Sequence, residues 1–501
     1  MKKVRLSARS LSTVIPAIIL FILVSAFPVW AQETYRRPDP KTFQYRDLTR
    51  ELANKMKGTY VVAVISDVNI MDPVGKLIDP KFQQLLRDAD TTVGNLETVV
   101  VDRRDWPYGL GGNFASKETA ADLAALGFDL MTAANNHGSD MGEQGLKSSI
   151  KWMDAAGIPL AGIGPNLATA RTPVFQQTPK GRVGMVGAAA PTTMPATNRK
   201  GNMGGNWGVN PLGVTTWNVV TPEQLKQLKA IRDSIVARRS ELVDSDPIPV
   251  PIDQPDRVQL FSASYIAGPK PGDYYYEINK DDLQANIVAI RNTKEYADFA
   301  IATLHDHWNR YAFQGLNVDH YPNQFVIDYA HAMIDNGADL YFGHGPHCLR
   351  GIEIYKGKPI FYGLGNLTNH QLALEGSQEE PDDIPPGMTP IEADELDVAR
   401  LLRADSLLGV LATVKYQDGK LVEVRLYPMD LGAEGTQPWS RTGNAQMPSP
   451  EMARKILAQV QKFSEPFGTK ITIENEVGVI RVSPEATVPV GADIRPKLPA
   501  D

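Results

Sequence analysis

The sequence predicts an α/β fold on three observations. From Thr59 onward, short apolar runs with the length of buried strands alternate with amphipathic stretches of helical period. Polar and turn-forming clusters separate the two. Several runs also lead directly into His, Asp, Glu or Asn, as in α/β proteins whose ligands bind just beyond the carboxyl ends of strands. With 501 residues and 43% apolar side chains, the chain can bury a large core. Its 51 Lys+Arg against 58 Asp+Glu leave a formal charge of −7 without a long run of one sign, so nothing marks a nucleic-acid binder. The sole cysteine, Cys348, cannot form an intramolecular disulfide, and the fold must rest on packing.

The elements follow in order. Lys2, Lys3, Arg5 and Arg9 precede an apolar stretch from Leu11 to Phe27 that ends in Pro28-Val29-Trp30-Ala31, the order of a secretory signal cleaved after Ala31. Export to the periplasm or the medium follows. The alternative is an uncleaved membrane anchor, for which about 17 apolar residues are short against roughly 30 Å of hydrocarbon. Residues 32–57 read as a polar lead-in with helical potential near Tyr45 to Lys57. Strands are expected at Thr59–Ile65, Thr91–Gly94, Leu130–Ala133, Pro159–Gly162, Arg182–Ala188, Phe299–Leu304, Leu340–Phe342 and Pro359–Tyr362. Helices are expected between them at Lys117–Leu126, Glu143–Ala156 and Asn323–Asn336. From Pro191 to Pro271 the alternation lapses into a Gly/Asn/Pro-rich segment, one helix near Pro222–Asp244 and a proline-rich stretch. This is an insertion, read either as a lid over the site or as an excursion without chemical role. Residues 376–391 form an acidic, proline-rich loop; Leu407–Tyr416 and Leu421–Pro428 flank Asp418-Gly419 as a hairpin. A helix at Pro450–Phe463, strands within Ile471–Val482 and a tail over 483–501 complete the chain.

Five strand-end clusters carry the chemistry. They are Ser66-Asp67-Val68-Asn69, Asn95-Leu96-Glu97, Asn135-Asn136-His137, His305-Asp306-His307 and Gly343-His344-Gly345-Pro346-His347. Five of the eight histidines lie in them, which scattered structural histidines would not do. Imidazole, carboxylate and amide donors without thiolate suit Zn, Mn or Fe(II), one or two ions. A carboxylate such as Glu97 can bridge two ions, and such a pair activates water and stabilises a leaving oxygen.

The stretch Asn135-Asn136-His137-Gly138-Ser139-Asp140-Met141-Gly142, the Gly343–His347 cluster and Gly351 to Asn366 resemble the CapA family, as do Asn95-Leu96-Glu97 and Phe463 to Thr469. These are capsule (poly-γ-glutamate) synthesis proteins on a calcineurin-like metallophosphoesterase fold. The resemblance spans about residues 59–482, least clearly over 191–271, and implies a four-layer α/β/β/α sandwich. It implies Asp67 and His347 on a first metal and Glu97 as the bridge. Asn136, His305 and His344 would hold the second, with His137 as general acid or as a residue orienting a ligand. Where that pattern has Asp-x-His, this chain has Asp67-Val68-Asn69, an amide in place of an imidazole. His307, on the same side as His305 by alternation, either compensates or contacts substrate, unless it is a structural histidine. Arg350 is placed to meet a substrate carboxylate or phosphate, or to pair with Glu353. Cys348 is expected as a buried small hydrophobe, and Trp308 and Tyr311 as entrance or core.

The expected function is that of an exported metal-dependent hydrolase in capsule or poly-γ-glutamate biosynthesis or processing, an activated water attacking a phosphoester or amide. The alternative is a non-catalytic accessory that holds an anionic polymer during synthesis or export. A closed structural metal site is a third reading, disfavoured by the surplus of candidate donors. The implied partners are an anionic polymer or phosphoester substrate and membrane-associated polymer synthesis machinery.

Overall fold

Thr59–Asn69 forms the central strand. Tyr60, Val62 and Val64 enter one apolar core and Ala63 and Ile65 another, because side chains alternate along a strand. A strand buried on both faces needs cover on both, which is why it reads as a continuous apolar run. It pairs parallel with Thr91–Leu96, beyond which Leu130–Thr132 and Leu160–Ala161 continue the parallel order. On its other side lies the antiparallel hairpin Leu408–Gln417 and Lys420–Asp430, then Val477–Arg481 and Thr472–Glu474. Asp418 and Gly419, at φ 52° and 75°, turn that hairpin as expected. The short strand Asn366–Asn369 pairs with the end of the central strand.

A second sheet has the order Ile352–Tyr355, Lys358–Phe361, Leu340–His344, Phe299–Asp306, Gly181–Ala190 and Val174–Thr178, the inner four strands parallel. Phe299, Ile301, Leu340 and Phe342 meet Val62, Val64 and Val93 between the sheets. Behind the larger sheet pack the helices Pro80–Asp88, Glu118–Leu126 and Gly142–Ala155 through Phe82, Leu86, Leu123 and Met153. Behind the smaller pack Lys280–Tyr296 and Gln324–Asp335 through Ile290, Phe325 and Tyr329. Pro450–Ser464 contributes Ile456, Leu457 and Val460 to the central core. The architecture is the four-layer α/β/β/α sandwich.

The computed structural model describes residues 53–104, 106–108, 112–190, 194–198, 204–242, 254–260, 263–308, 320–370, 405–436 and 438–482. The signal segment, the lead-in as far as residue 52, the loop at 376–391, the tail and Tyr311 lie outside them, and residues 53–57 form no helix. Two differences from expectation bear on the site. The strands run on through Asn69, Leu96, Asp306 and His344, so several polar site residues are strand residues rather than loop residues. The insertion is also more structured than its composition suggests. Arg257–Leu260, Ala263–Ala267, Val214–Val220 and Tyr274–Ile278 form a four-stranded sheet in that order, accompanied by the helix Pro222–Leu242. Its strands are short; Arg257–Leu260 and Ala263–Ala267 pair antiparallel as a tight hairpin, while Val214–Val220 joins Ala263–Ala267 in parallel across the helix. Tyr276 of this sheet meets Trp308 edge-on at 5.2 Å.

Candidate metal centre

At the end of the central strand a register irregularity between Val64 and Asp67 re-aims the backbone, as bulges beside sites do. The Asp67 carboxylate accepts from the Asn95 side chain at 2.9 Å and from the Gly345 N–H at 3.1 and 3.0 Å. Asn95 is held in turn by Asn135, which donates to Asn95 Oδ1 at 2.9 Å and to the Leu96 carbonyl at 2.8 Å. Three neighbouring strand ends are thus set by one line of amides. Asn135 Oδ1 also accepts the His137 N–H at 3.0 Å, shaping the turn that presents half-buried Asn136 and His137. Asn69 is buried, in register with Asn369.

Glu97 follows the second strand, wholly buried, and neither carboxylate oxygen has a hydrogen-bond partner among the described residues. Facing its Oε1 are three Nε2 atoms: His347 at 3.5 Å, His305 at 3.7 Å and His307 at 3.8 Å. These gaps are too long for hydrogen bonds. They are close to those of ligand atoms sharing one ion, which sit about 2.0–2.2 Å from it and hence roughly 3–3.5 Å apart. Burial pushes Glu97 up to about 8, although His347 opposes the shift. A buried carboxylate without donors is costly, and a cation is the partner it lacks.

The smaller sheet supplies the imidazoles. His305 and His344 share the parity of Phe299 and Phe342 and so face the other sheet. Their Nδ1 atoms lie 2.9 Å apart, and His344 Nε2 sits 3.0 Å from Thr303 Oγ1. Burial lowers both, His344 to about 3 and His305 well below the ordinary range, keeping the rings neutral as ligands must be. Gly345, at φ 108°, admits the loop against His305, since a Cβ there would lie 3.0 Å from the ring Nε2. His347 itself is held at φ 52°, a strained conformation for a residue with a side chain. Its Nδ1 lies 3.0 Å from Asn366 Oδ1. Ligand atoms of Asp67, His305 and His344 form one compact group and those of Glu97, His307 and His347 a second, each within 4.8 Å. Imidazoles and carboxylates without sulfur fit Zn, Mn or Fe.

His137 stands at the edge of this group. Its Nδ1 is 2.8 Å from Asp140 Oδ2, which also accepts the Asn113 N–H at 2.7 Å. Burial works against a charged ring, but Asp140 and Glu97 outweigh it and hold His137 above its ordinary value.

Arg350 departs from expectation. It is buried, donating to Asp306 Oδ2 at 2.8 Å rather than facing a substrate. Glu353 takes His331 and the Tyr362 hydroxyl instead. The reason is alternation: Asp306 points away from His305 and His307 into the helix-covered layer, where a carboxylate needs a cation. Trp308 packs in that same layer and Cys348 is a buried free thiol. The three remaining histidines have structural partners: His320 on the Leu349 carbonyl, His331 on Glu353, and His370 between the Met71 N–H and Asn444. Asn95, Asn135 and Asp140 were visible only as neighbours of the candidates; their proximity in sequence was the one signal.

The model of the bacterial capsule synthesis protein PGA_cap matches residues 74–371, more than half of the chain. The chain belongs to that family. Glu97, Asn136, His137, His305, His307, His344 and His347 fall inside the matched span, and Asp67 and Asn69 just before it. Among similar proteins, the uncharacterized protein y4sH of Sinorhizobium fredii is 33% identical over 480 residues, 87% of this chain and 96% of that one. The PGA biosynthesis protein CapA of Bacillus subtilis is 25% identical over 70% of this chain and 71% of its own. The capsule biosynthesis protein CapA of Bacillus anthracis is 25% identical over 72% and 69%. A novel phosphatase from Mycoplasma pneumoniae, at 9% identity, overlaps 77% of this chain and all of its own with a TM-score of 0.32, too low to bear on the reaction.

Proposed function

We propose that this PGA_cap family member is an exported, metal-dependent hydrolase that cleaves a phosphoester or amide in an anionic capsule polymer of the poly-γ-glutamate class. Glu97 carries the reading: a fully buried carboxylate without a hydrogen-bond donor, faced by three imidazoles and adjoining a histidine held by a carboxylate. When bound, one or two divalent ions supply Lewis acidity at the scissile centre and a water activated near neutral pH. Glu97, His305 and His347 would hold the ions, with Asp67, Asn136 and His344 available to complete the donor set. His137, its Nδ1 fixed by Asp140, keeps a proton on Nε2 and delivers it to the departing group. The names of the CapA relatives support the polymer class, and the basic-then-apolar N-terminus supports export to where such a polymer is assembled.

The test compares wild type, Glu97→Gln and His137→Ala after Mn or Zn loading, on phosphoesters and poly-γ-glutamate. Glu97→Gln should lose both metal and turnover; His137→Ala should keep the metal and lose about 10²–10⁴-fold in rate. Wild type without bound metal would sink the proposal. Metal without turnover, with polymer affinity lost in Glu97→Gln, would instead identify a polymer-holding accessory.

A further inference from the structure

Building on the metal-centre reading above, we infer that His307 is a metal ligand, sharing the ion at Glu97 with His347, and not a substrate contact. Its Nε2 lies 3.8 Å from Glu97 Oε1, against 3.7 Å for His305 and 3.5 Å for His347. Its geometric standing is that of the two strand-end histidines. A substrate-binding imidazole would turn its donor outward from the site, whereas this one is aimed at a buried carboxylate.

The ring packing agrees. The His307 ring meets that of His305 at 4.7 Å and 63° and that of His347 at 5.5 Å and 61°. Inclined rings whose nitrogens converge on one oxygen are arranged around a common point. His307 is the most open of the three, its side chain 19% exposed against 12% for His347 and none for His305. It therefore closes the outer side of the ion's surroundings.

The backbone around it is clamped on both sides. Asp306 and Trp308 alternate into the helix-covered layer, and Arg350 reaches both: Nη1 to Asp306 Oδ2 at 2.8 Å and Nη2 to the Trp308 carbonyl at 3.4 Å. This gives the buried Arg350–Asp306 pair a role. It holds the residues flanking His307, although the strand's regular pairing ends at Asp306. Ligands need such outer support to keep their orientation. Asn69, buried in register with Asn369, is an amide at the position where the resemblance has an imidazole.

The test uses the full chain, stripped of metal and titrated with Co(II), read by calorimetry and by the visible absorption of the bound ion. Wild type, His307→Ala and His307→Asp are compared. His307→Ala should bind Co(II) about 100-fold more weakly, at or beyond the limit that loss of a merely supporting contact costs. His307→Asp, which keeps a donor, should recover most of the affinity with shifted absorption bands. Wild type that binds no Co(II) refutes the metal centre itself. Wild type that binds, with His307→Ala matching it in affinity and spectrum, refutes the ligand role alone. If His307→Ala does not fold, a His307→Asp spectrum identical to wild type overturns the inference.

Discussion

Glu97 links stability to chemistry at the scale of one residue. Its folded pKa of about 8 lies above the ordinary 4.5, so the metal-free folded chain keeps a proton that the unfolded chain releases. The sign follows: stability of the metal-free protein falls as pH rises from about 4.5 to about 8 and levels off beyond, a loss on the order of a few kcal/mol. In EDTA, wild type should show a falling melting temperature across that window, and Glu97→Gln a flatter curve. Parallel curves would mean that the carboxylate is not the cost. Gly345 is a second such point. At φ 108°, with Asp306 O 2.7 Å and His305 Nε2 3.0 Å from any added Cβ, Gly345→Ala should cost about 1–3 kcal/mol. It should also weaken metal binding, because the displaced group is His305. Thermal unfolding together with metal titration checks both effects.

At the scale of elements, the site is a junction of two sheets, and Ser66 is one of its rivets. Its hydroxyl donates to the Gly343 carbonyl at 2.8 Å and accepts the Leu364 N–H at 2.8 Å, tying the central strand to the loops around Leu340–His344. Ser66→Ala leaves a buried N–H unmet, at a cost of about 1–3 kcal/mol. The denaturation midpoint should drop with unchanged slope, and metal affinity should fall as the sheets lose register. An unaltered midpoint would show that the two sheets are held by their apolar faces alone. The Asn135–Asn95–Asp67 line does the same work within the larger sheet, where each amide fixes the next strand end.

At the scale of the whole molecule, the proposed metal binding would be linked to folding, because the candidate donors come from both sheets and meet only in the native state. Saturating Mn or Zn should raise the melting temperature of stripped protein, by about 2.7 kcal/mol of stability at a free concentration of 100 times Kd. Glu97→Gln should not respond. Export is testable separately: the mature protein should begin at Gln32, and a secreted chain beginning at Met1 would leave the membrane-anchored alternative.

The sequence by itself determined the class of fold and the chemical inventory. Apolar period and strand-end residue types are local properties, so the runs ending at Asp67, Glu97, His137, His305 and His344 were legible without any tertiary contact. Pattern and spacing alone could not say that these ends belong to two facing sheets, which only the resemblance to a known family implied, because parallel pairing joins segments far apart in the chain, such as Leu304 with Gly343 and Val64 with Val93. In the insertion, too, the parallel pairing of Val214–Val220 with Ala263–Ala267 spans an intervening helix. Arg350 was expected on a substrate anion or on Glu353, and its partner Asp306 went unseen because it is 44 positions away and on the covered face of its strand. His307 stayed ambiguous for that reason too: alternation put it beside His305, but only the packing of one sheet on the other brings Glu97 within 3.8 Å of its ring.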